Sequence, residues 1–356
     1  MTNGWIDIKN TDMMLIMGGN PAENHPCGFK WAMEAKRNRN AKLISVDPRF
    51  TRTSATADLF LQIRAGTDIA FLGGLIRYAI ENNRFAKEYL VNYTNAAFIV
   101  KEGFKLPEDG LYSGFNAGSG TYDKTTWNYQ EGGDFSGKTD APATSTHAAA
   151  AGGSSAAGAS GHAPEPAPGK PGGPAPPPAL PPNVAYDLTL QHPRCVFQLM
   201  KQQYSRYTPE TVERITGIPK EQYLKAIDLF TSVRKDGDMK KVATIIYAVG
   251  WTQHTFGTQI IRTAAMIQLL LGNVGRAGGG VNALRGHSNI QGATDMAGLY
   301  DSMPGYLKAP VPDDVDLATY LKRVTPTASK PTPWDSMNYY QNTPKFFVSL
   351  LKAMYG

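Results

Sequence analysis

Cysteine is scarce in this chain. Cys27 and Cys195 are the only two among 356 residues, too few for a disulfide framework, a CxxC redox pair or an iron–sulfur ligand set. Long apolar runs are also missing. The best candidate, Ala264 to Leu271, lies between Arg262 and Gly272 and falls far short of the ~18 residues that span a bilayer. No direct membrane span is therefore expected. No secretory signal is expected from the first residues, which run from Met1 through Trp5 straight into Asp7 and Lys9. Lysine- or arginine-rich runs, zinc-finger spacings and RNP motifs are absent too, so nucleic acid is not an expected partner. The net charge of +6 is modest for this length and fits a solvated surface or a site for anions.

Proline is unevenly spread. Eleven of the 25 prolines fall in residues 141–182, a stretch with one acidic residue, one basic residue, no aromatic residue and Leu180 as its only large aliphatic. Such a segment buries too little surface to offset its ordering entropy, so a disordered insertion of polyproline II character is expected there. It acts either as a surface insertion or as a docking arm.

Around this insertion, strand and helix patterns alternate. Met13–Met17 reads as a buried strand, residues 26–39 as a helix, Lys42–Asp47 as a second strand and Leu59–Ile63 as a third. A helix follows from about Ile69 to Asn82, with Thr67 or Asp68 placed to cap it. Past the insertion, Pro209 to Thr231 is amphipathic and helical. Val242–Val249 is the strongest strand pattern, and Thr258–Leu271 is a buried helix. The expected fold class is α/β, a mostly parallel sheet with flanking helices.

Ligands of such sheets gather at the carboxyl ends of strands. Four polar loops fall there: Gly19 to Pro26, Asp47 to Thr53, Gly66-Thr67-Asp68, and Gly250 to His254. Each alone reads equally as turn chemistry. Together they offer carboxylates, amides, a guanidinium and helix amino-termini, the groups a large nucleotide-like cofactor needs. Asp47 resembles a ribose-binding acid, yet no GxGxxG precedes it. The glycine-rich segment from Gly272 to Met296 then crowds Arg285, His287, Asn289, Gln291 and Asp295 into a short span after three consecutive glycines. It is either an exposed connection or a site where a planar guanidinium grips a small carboxylate.

The strings GGNPAENHP, VDPRFTRT, GTDIAFL, GWTQH, MIQLLLGNVGRAGGGVNALRGHSNIQGATDM and NTPKFFVSLLKA closely resemble the catalytic subunit of respiratory, membrane-associated formate dehydrogenases, in the molybdopterin oxidoreductase (dimethyl-sulfoxide-reductase) superfamily. The resemblance runs through nearly the whole chain outside residues 131–184. LRGHSNIQGATDMAG is its most formate-specific part. It implies a bis(molybdopterin guanine dinucleotide) centre with molybdenum or tungsten. By motif match, Asn20, Glu23, Asn24, Asp47, Arg49, Gly66, Asp68, Gly250 and Gln253 would hold cofactor, Arg285 would orient formate, and Gly286 and His287 would lie against the pterin. It also implies an iron–sulfur beta subunit and a membrane cytochrome subunit as partners, and a periplasmic location.

The sequence departs from that pattern in three features. The four-cysteine motif for a [4Fe–4S] cluster and the selenocysteine- or cysteine-histidine metal ligand are not here, and neither is the carboxy-terminal pterin domain. No residue of this chain is expected to ligate the metal. The expectation is an internal piece of such a subunit, beginning after an upstream selenocysteine codon and inactive by itself. Its expected organisation is an α/β domain in two parts (1–130 and 185–286), an insertion (131–184) and an incomplete return into a second domain (287–356). The rival readings are a nitrate reductase-like relative, a nicotinamide-binding domain, and a non-catalytic interaction module.

Overall fold

The computed structural model describes residues 2–107, 110–136, 183–286, 289–298, 302–326 and 341–356. They divide into two compact units, Met1–Leu284 and Arg285–Gly356.

The first unit is organised by β1 (Met13–Met17), whose five residues are all buried. Side chains alternate along a strand, so Met13, Leu15 and Met17 enter one apolar cluster while Met14 and Ile16 enter another on the opposite face. Covering both faces requires an unbroken apolar run rather than an alternating one. After β1 come a single turn of helix, α1 (Pro21–Asn24), then α2 (Pro26–Arg39) and β2 (Lys42–Asp47). β2 pairs parallel to β1, with Leu15 opposite Ile44. β3 (Leu59–Gln62) extends the sheet, Asp47 standing opposite Gln62. α2 seals one face through Phe29, Ala32 and Ala35. The other face is covered by α3 (Asp68–Glu81), where Phe71, Leu72, Leu75, Ile76, Ala79 and Ile80 are buried. α4 (Lys87–Tyr93) follows it.

A small hairpin, β4 (Phe115–Asn116) with β5 (Thr121–Tyr122), stands apart from the main sheet. The residues expected as the margins of the insertion are paired rather than loose: Glu131 bridges Val184, and Gly132 N donates to Asn183 O at 3.2 Å. The insertion thus leaves and re-enters at one point. Residues 137–182, its body, lie outside the described residues.

Helices α5 (Val196–Tyr204), α6 (Pro209–Thr216) and α7 (Lys220–Thr231) follow. The single helical stretch expected over Pro209–Thr231 is two helices. Gly217 takes φ +76° and closes α6, and Pro219 precedes the first turn of α7. β6 (Ala243–Tyr247) then pairs parallel to the free side of β1. It is shorter than the Val242–Val249 run because the chain turns at Ala248 into the short helix α8 (Val249–Thr252). α9 (Gly257–Leu270) leads to β7 (Val281–Ala283), which completes a five-stranded parallel sheet in the order β3-β2-β1-β6-β7.

The second unit holds α10 (Ile290–Asp295), a hairpin of β8 (Ser302–Met303) and β9 (Leu307–Lys308), α11 (Leu317–Val324) and α12 (Thr343–Tyr355). Asp316 caps α11 by accepting from Thr319 N at 2.7 Å, and Tyr320 packs on Phe347 with ring centroids 4.8 Å apart. Among the described residues no helix is long and apolar enough to cross a membrane.

Candidate functional site

The strand order reverses between β1 and β6. The chain builds outward from β1 to β3, then returns to the other side of β1 for β6 and β7. A crevice opens at the carboxyl ends of two strands whose connections diverge in this way. Here it is a pocket of about 250 Å³ lined by Gly18, Gly19, Asn20 and Asn24 after β1, and by Asp47, Pro48, Arg49 and Thr51 after β2. Ala65, Gly66 and Asp68 line it after β3, and Ala248, Val249, Gly250 and His254 after β6.

Two glycines make the crevice possible. Gly18 has φ +73°, and a Cβ there would meet Trp251 Cδ1 at 2.5 Å. A Cβ on Gly250 would meet Gly18 O at 2.6 Å. The close crossing lets Ala248 N and Gly250 N both donate to Gly18 O, at 3.1 and 3.0 Å. Side chains at either position would push the two strand ends apart.

The polar groups are held by their own partners. Asn20 is buried, and its Oδ1 accepts from Thr53 N at 3.2 Å and Thr53 Oγ1 at 2.8 Å, while its Nδ2 donates to Glu23 Oε2 at 2.7 Å. Its amide ties the loop after β1 to the loop after β2, which makes it a positioning residue. Asp47 Oδ1 accepts from Arg49 N at 2.8 Å, an Asx turn that fixes the loop and leaves the second carboxylate oxygen available to a ligand. Asp68 is the first residue of α3 and is buried. Burial pushes its carboxyl above the ordinary range. A hydrogen bond from Trp251 Nε1 at 3.0 Å and the nearby His254 oppose that rise, while Asp47 adds to it. Trp251 stacks on Tyr247, centroids 5.0 Å apart and planes 25° from parallel.

Seven residues singled out by sequence therefore line one pocket: Asn20, Asn24, Asp47, Arg49, Gly66, Asp68 and Gly250. Glu23 is exposed and bonded to Asn20 rather than lining it. Gln253 is exposed at the end of α8, its N–H donating to Val249 O at 2.9 Å. Arg285 and Gly286 belong to the second unit and are exposed. His287 lies outside the described residues.

Several expectations need correction. The segment Gly19 to Pro26 is not one loop, because α1 forms inside it and Pro26 begins α2. Neither Thr67 nor Asp68 caps α3 through its side chain, since the Thr67 hydroxyl donates to Arg64 O at 2.7 Å instead. Thr53, Trp251 and His254 were not singled out as site residues. All three lie inside the strand-end loops that the sequence marks, Thr53 at the end of Asp47 to Thr53 and the other two in Gly250 to His254.

The arrangement suits a polar, nucleotide-like ligand. Carboxylates at Asp47 and Asp68 can accept from hydroxyls or an amidine-like base edge, and Arg49 with the first amides of α3 can receive phosphate. Among the described residues no group of three or more His, Cys, Asp or Glu is placed to hold a metal. Burial pushes the Cys195 thiol up to about 11, which leaves it inert.

The molybdopterin oxidoreductase family pattern matches residues 1–349. The chain is 49% identical over 356 residues to the nitrate-inducible formate dehydrogenase major subunit of Escherichia coli, covering 100% of this chain and 30% of that protein. It is 47% identical to the formate dehydrogenase-O major subunit of the same organism, with the same two shares. With the formate dehydrogenase 2 alpha subunit (cytochrome c-553) of Nitratidesulfovibrio vulgaris the identity is 44%, again over 100% of this chain and 30% of the relative. The chain thus spans about 30% of the length of these relatives. By this match across almost its full length, the chain belongs to the molybdopterin oxidoreductase family.

Proposed function

We propose that this chain forms part of the catalytic subunit of a formate dehydrogenase, oxidising formate to carbon dioxide with release of one proton and two electrons. The observation that carries the cofactor half is the convergence of four strand-end loops on one crevice at the point where the strand order reverses. The substrate half rests on the names of the relatives and on the Leu284 to Gly298 segment.

In this reading the cofactor is a molybdopterin guanine dinucleotide, one of a pair around molybdenum or tungsten. Asp47 and Asp68 accept from the guanine edge and ribose, while Arg49 and the amides at the start of α3 take the diphosphate. Gly18 and Gly250 let the backbone come close enough to exclude water. The bound group supplies the two-electron redox chemistry. Arg285 orients formate, whose carboxylate is nearly its whole surface, through two parallel hydrogen bonds. Gly286 and His287 would contribute contacts to the pterin. In the complete subunit a [4Fe–4S] cluster would accept the electrons, an iron–sulfur subunit and a membrane cytochrome subunit would be the partners, and the location would be periplasmic.

Dye-linked formate oxidation by the assembled enzyme that carries this segment tests the substrate. Arg285→Lys keeps the charge but loses the planar fork, so the KM for formate should rise at least about tenfold. An unchanged KM, or nitrate turnover in place of formate, overturns the assignment.

A further inference from the structure

The turn that leads into β7 is built of residues that cannot hold themselves in place. Gly275, Gly278 and Gly280 take φ +81°, +74° and +80°, a region open to glycine at little cost. Between residues 275 and 280 only Arg276 and Ala277 carry side chains, so the rigidity of the turn comes from what surrounds it. From inside the fold, Gln268 Nε2 donates to Gly280 O at 2.6 Å and Gly280 N donates to Asn273 O at 3.1 Å. Gln268 and Asn273 are both fully buried.

From outside, the turn is gripped by residues more than 270 positions away in sequence. Asn3 Nδ2 donates to Arg276 O at 3.0 Å and to Asp7 Oδ2 at 2.6 Å. The same Asp7 oxygen accepts from Gly278 N at 2.7 Å, and Asp7 Oδ1 accepts from Asn10 Nδ2 at 2.8 Å. Beside them, Thr2 N donates to Val281 O at 3.1 Å, Val281 N to Thr2 Oγ1 at 3.0 Å, and Asn3 N to Asn282 Oδ1 at 3.3 Å. Residues 2–10 thus strap both the glycine turn and β7, the last strand of the sheet. Burial works to raise the Asp7 carboxyl, but the bonds from Asn10, Gly278 and Asn3 hold it below its ordinary value. It therefore grips Gly278 as a charged acceptor.

What the strap fixes is the exit of the chain from the first unit. β7 ends at Ala283, Leu284 N donates to Tyr247 O at 2.7 Å, and Arg285 is one peptide bond further on. A substrate as small as formate offers few contacts to correct a misplaced anchor, and a displacement of about 1 Å can cost ~100-fold in rate. Unlike Gln268 and Asn273, Asn3 and Asp7 are only half-buried, so the strap can be cut without emptying the core.

We propose that Asn3 and Asp7 are positioning residues for formate, pinning the glycine turn so that β7 delivers Arg285 to a fixed place. This role rests on the reading of Arg285 as the formate anchor. Both residues act through the backbone of residues 276–284 rather than on formate itself.

Formate kinetics of the assembled enzyme that carries this segment, read beside hydrogen exchange, test the pair. Asp7→Ala should raise the KM for formate at least about fivefold, and Asp7→Asn, which keeps an acceptor for Gly278 N, should raise it less. Asn3→Ala releases Arg276 O but leaves the bond from Gly278 to Asp7, and should act in the same direction. In the purified full chain, Asn3→Ala should speed amide exchange over residues 276–282 and leave the rest of the sheet unchanged. Combined with Arg285→Lys, the effect of Asp7→Ala on KM should fall short of multiplying, because both changes act on one guanidinium. An unchanged KM in both strap variants, with Arg285→Lys still raising it, overturns the strap and leaves Arg285 as the anchor. Effects that multiply, or that track loss of bound metal and pterin, reduce the pair to a structural staple and overturn it too. An unchanged KM in Arg285→Lys removes the anchor itself, and the strap's role with it.

Discussion

Trp251 Nε1 donates to the buried carboxylate of Asp68 at 3.0 Å. This bond ties α8, which follows β6, to the start of α3 beside the candidate cofactor crevice. It joins residues 183 positions apart, so Asp68 takes its place in the crevice lining only once both halves of the sheet are assembled.

Asp68 should make stability depend on pH. Its folded-state carboxyl sits above its ordinary value near 3.8 because of burial. A raised folded value means that the stabilising contribution is complete below the unfolded value and is lost as pH rises through the folded one. Asp68→Asn keeps a hydrogen-bond acceptor for Trp251 without the buried charge. Urea unfolding from about pH 4 to about pH 8 should show the variant gaining on the wild type as pH rises. A difference that does not vary with pH contradicts the assignment.

Gly250→Ala should disrupt the crevice rather than merely crowd it. The added Cβ would meet Gly18 O at 2.6 Å, a backbone atom fixed by two amide donors. A loss of about 1–3 kcal/mol is expected in chemical denaturation. Any ligand affinity of the crevice should fall with it. An equally stable variant would mean that the two strand ends separate easily.

How much of this was legible in the sequence follows from what each feature depends on. Met13–Met17 and Lys42–Asp47 were readable as short, nearly continuous apolar runs bounded by turn residues, and the helix from about Ile69 to Asn82 by apolar spacing near 3.6. The four strand-end loops were readable for the same reason, since finding the strands locates their ends. Local pattern cannot report partners. Asn20 carries a motif identity, yet its amide is turned to Thr53, 33 residues away. Trp251 lies in the Gly250 to His254 loop, and the bond from its ring N–H to Asp68, 183 residues away, has no local signature. The break of one helical pattern into α6 and α7 was visible as Gly217 and Pro219, which the continuous amphipathic spacing overrode.

Arg234 should be the most sensitive residue outside the crevice. It is fully buried, and its guanidinium donates to the carbonyls of Val233, Leu271, Asp238 and Lys241 and to Asn273 Oδ1. Arg234→Met fills the volume but leaves these acceptors unsatisfied, each a desolvated polar group. A loss of about 3 kcal/mol or more is expected in urea unfolding. A loss below about 1 kcal/mol would mean that water replaces the guanidinium freely.

The central claim is that the crevice between β1 and β6 receives the guanine nucleotide end of the cofactor. Calorimetric titration of guanosine diphosphate into the purified chain tests it most directly. One saturable site is predicted, with adenosine diphosphate binding more weakly, and Asp47→Ala weakening guanosine diphosphate by about tenfold, equivalent to ~1.4 kcal/mol. Absence of saturable binding, or binding that Asp47→Ala leaves unchanged, would contradict it.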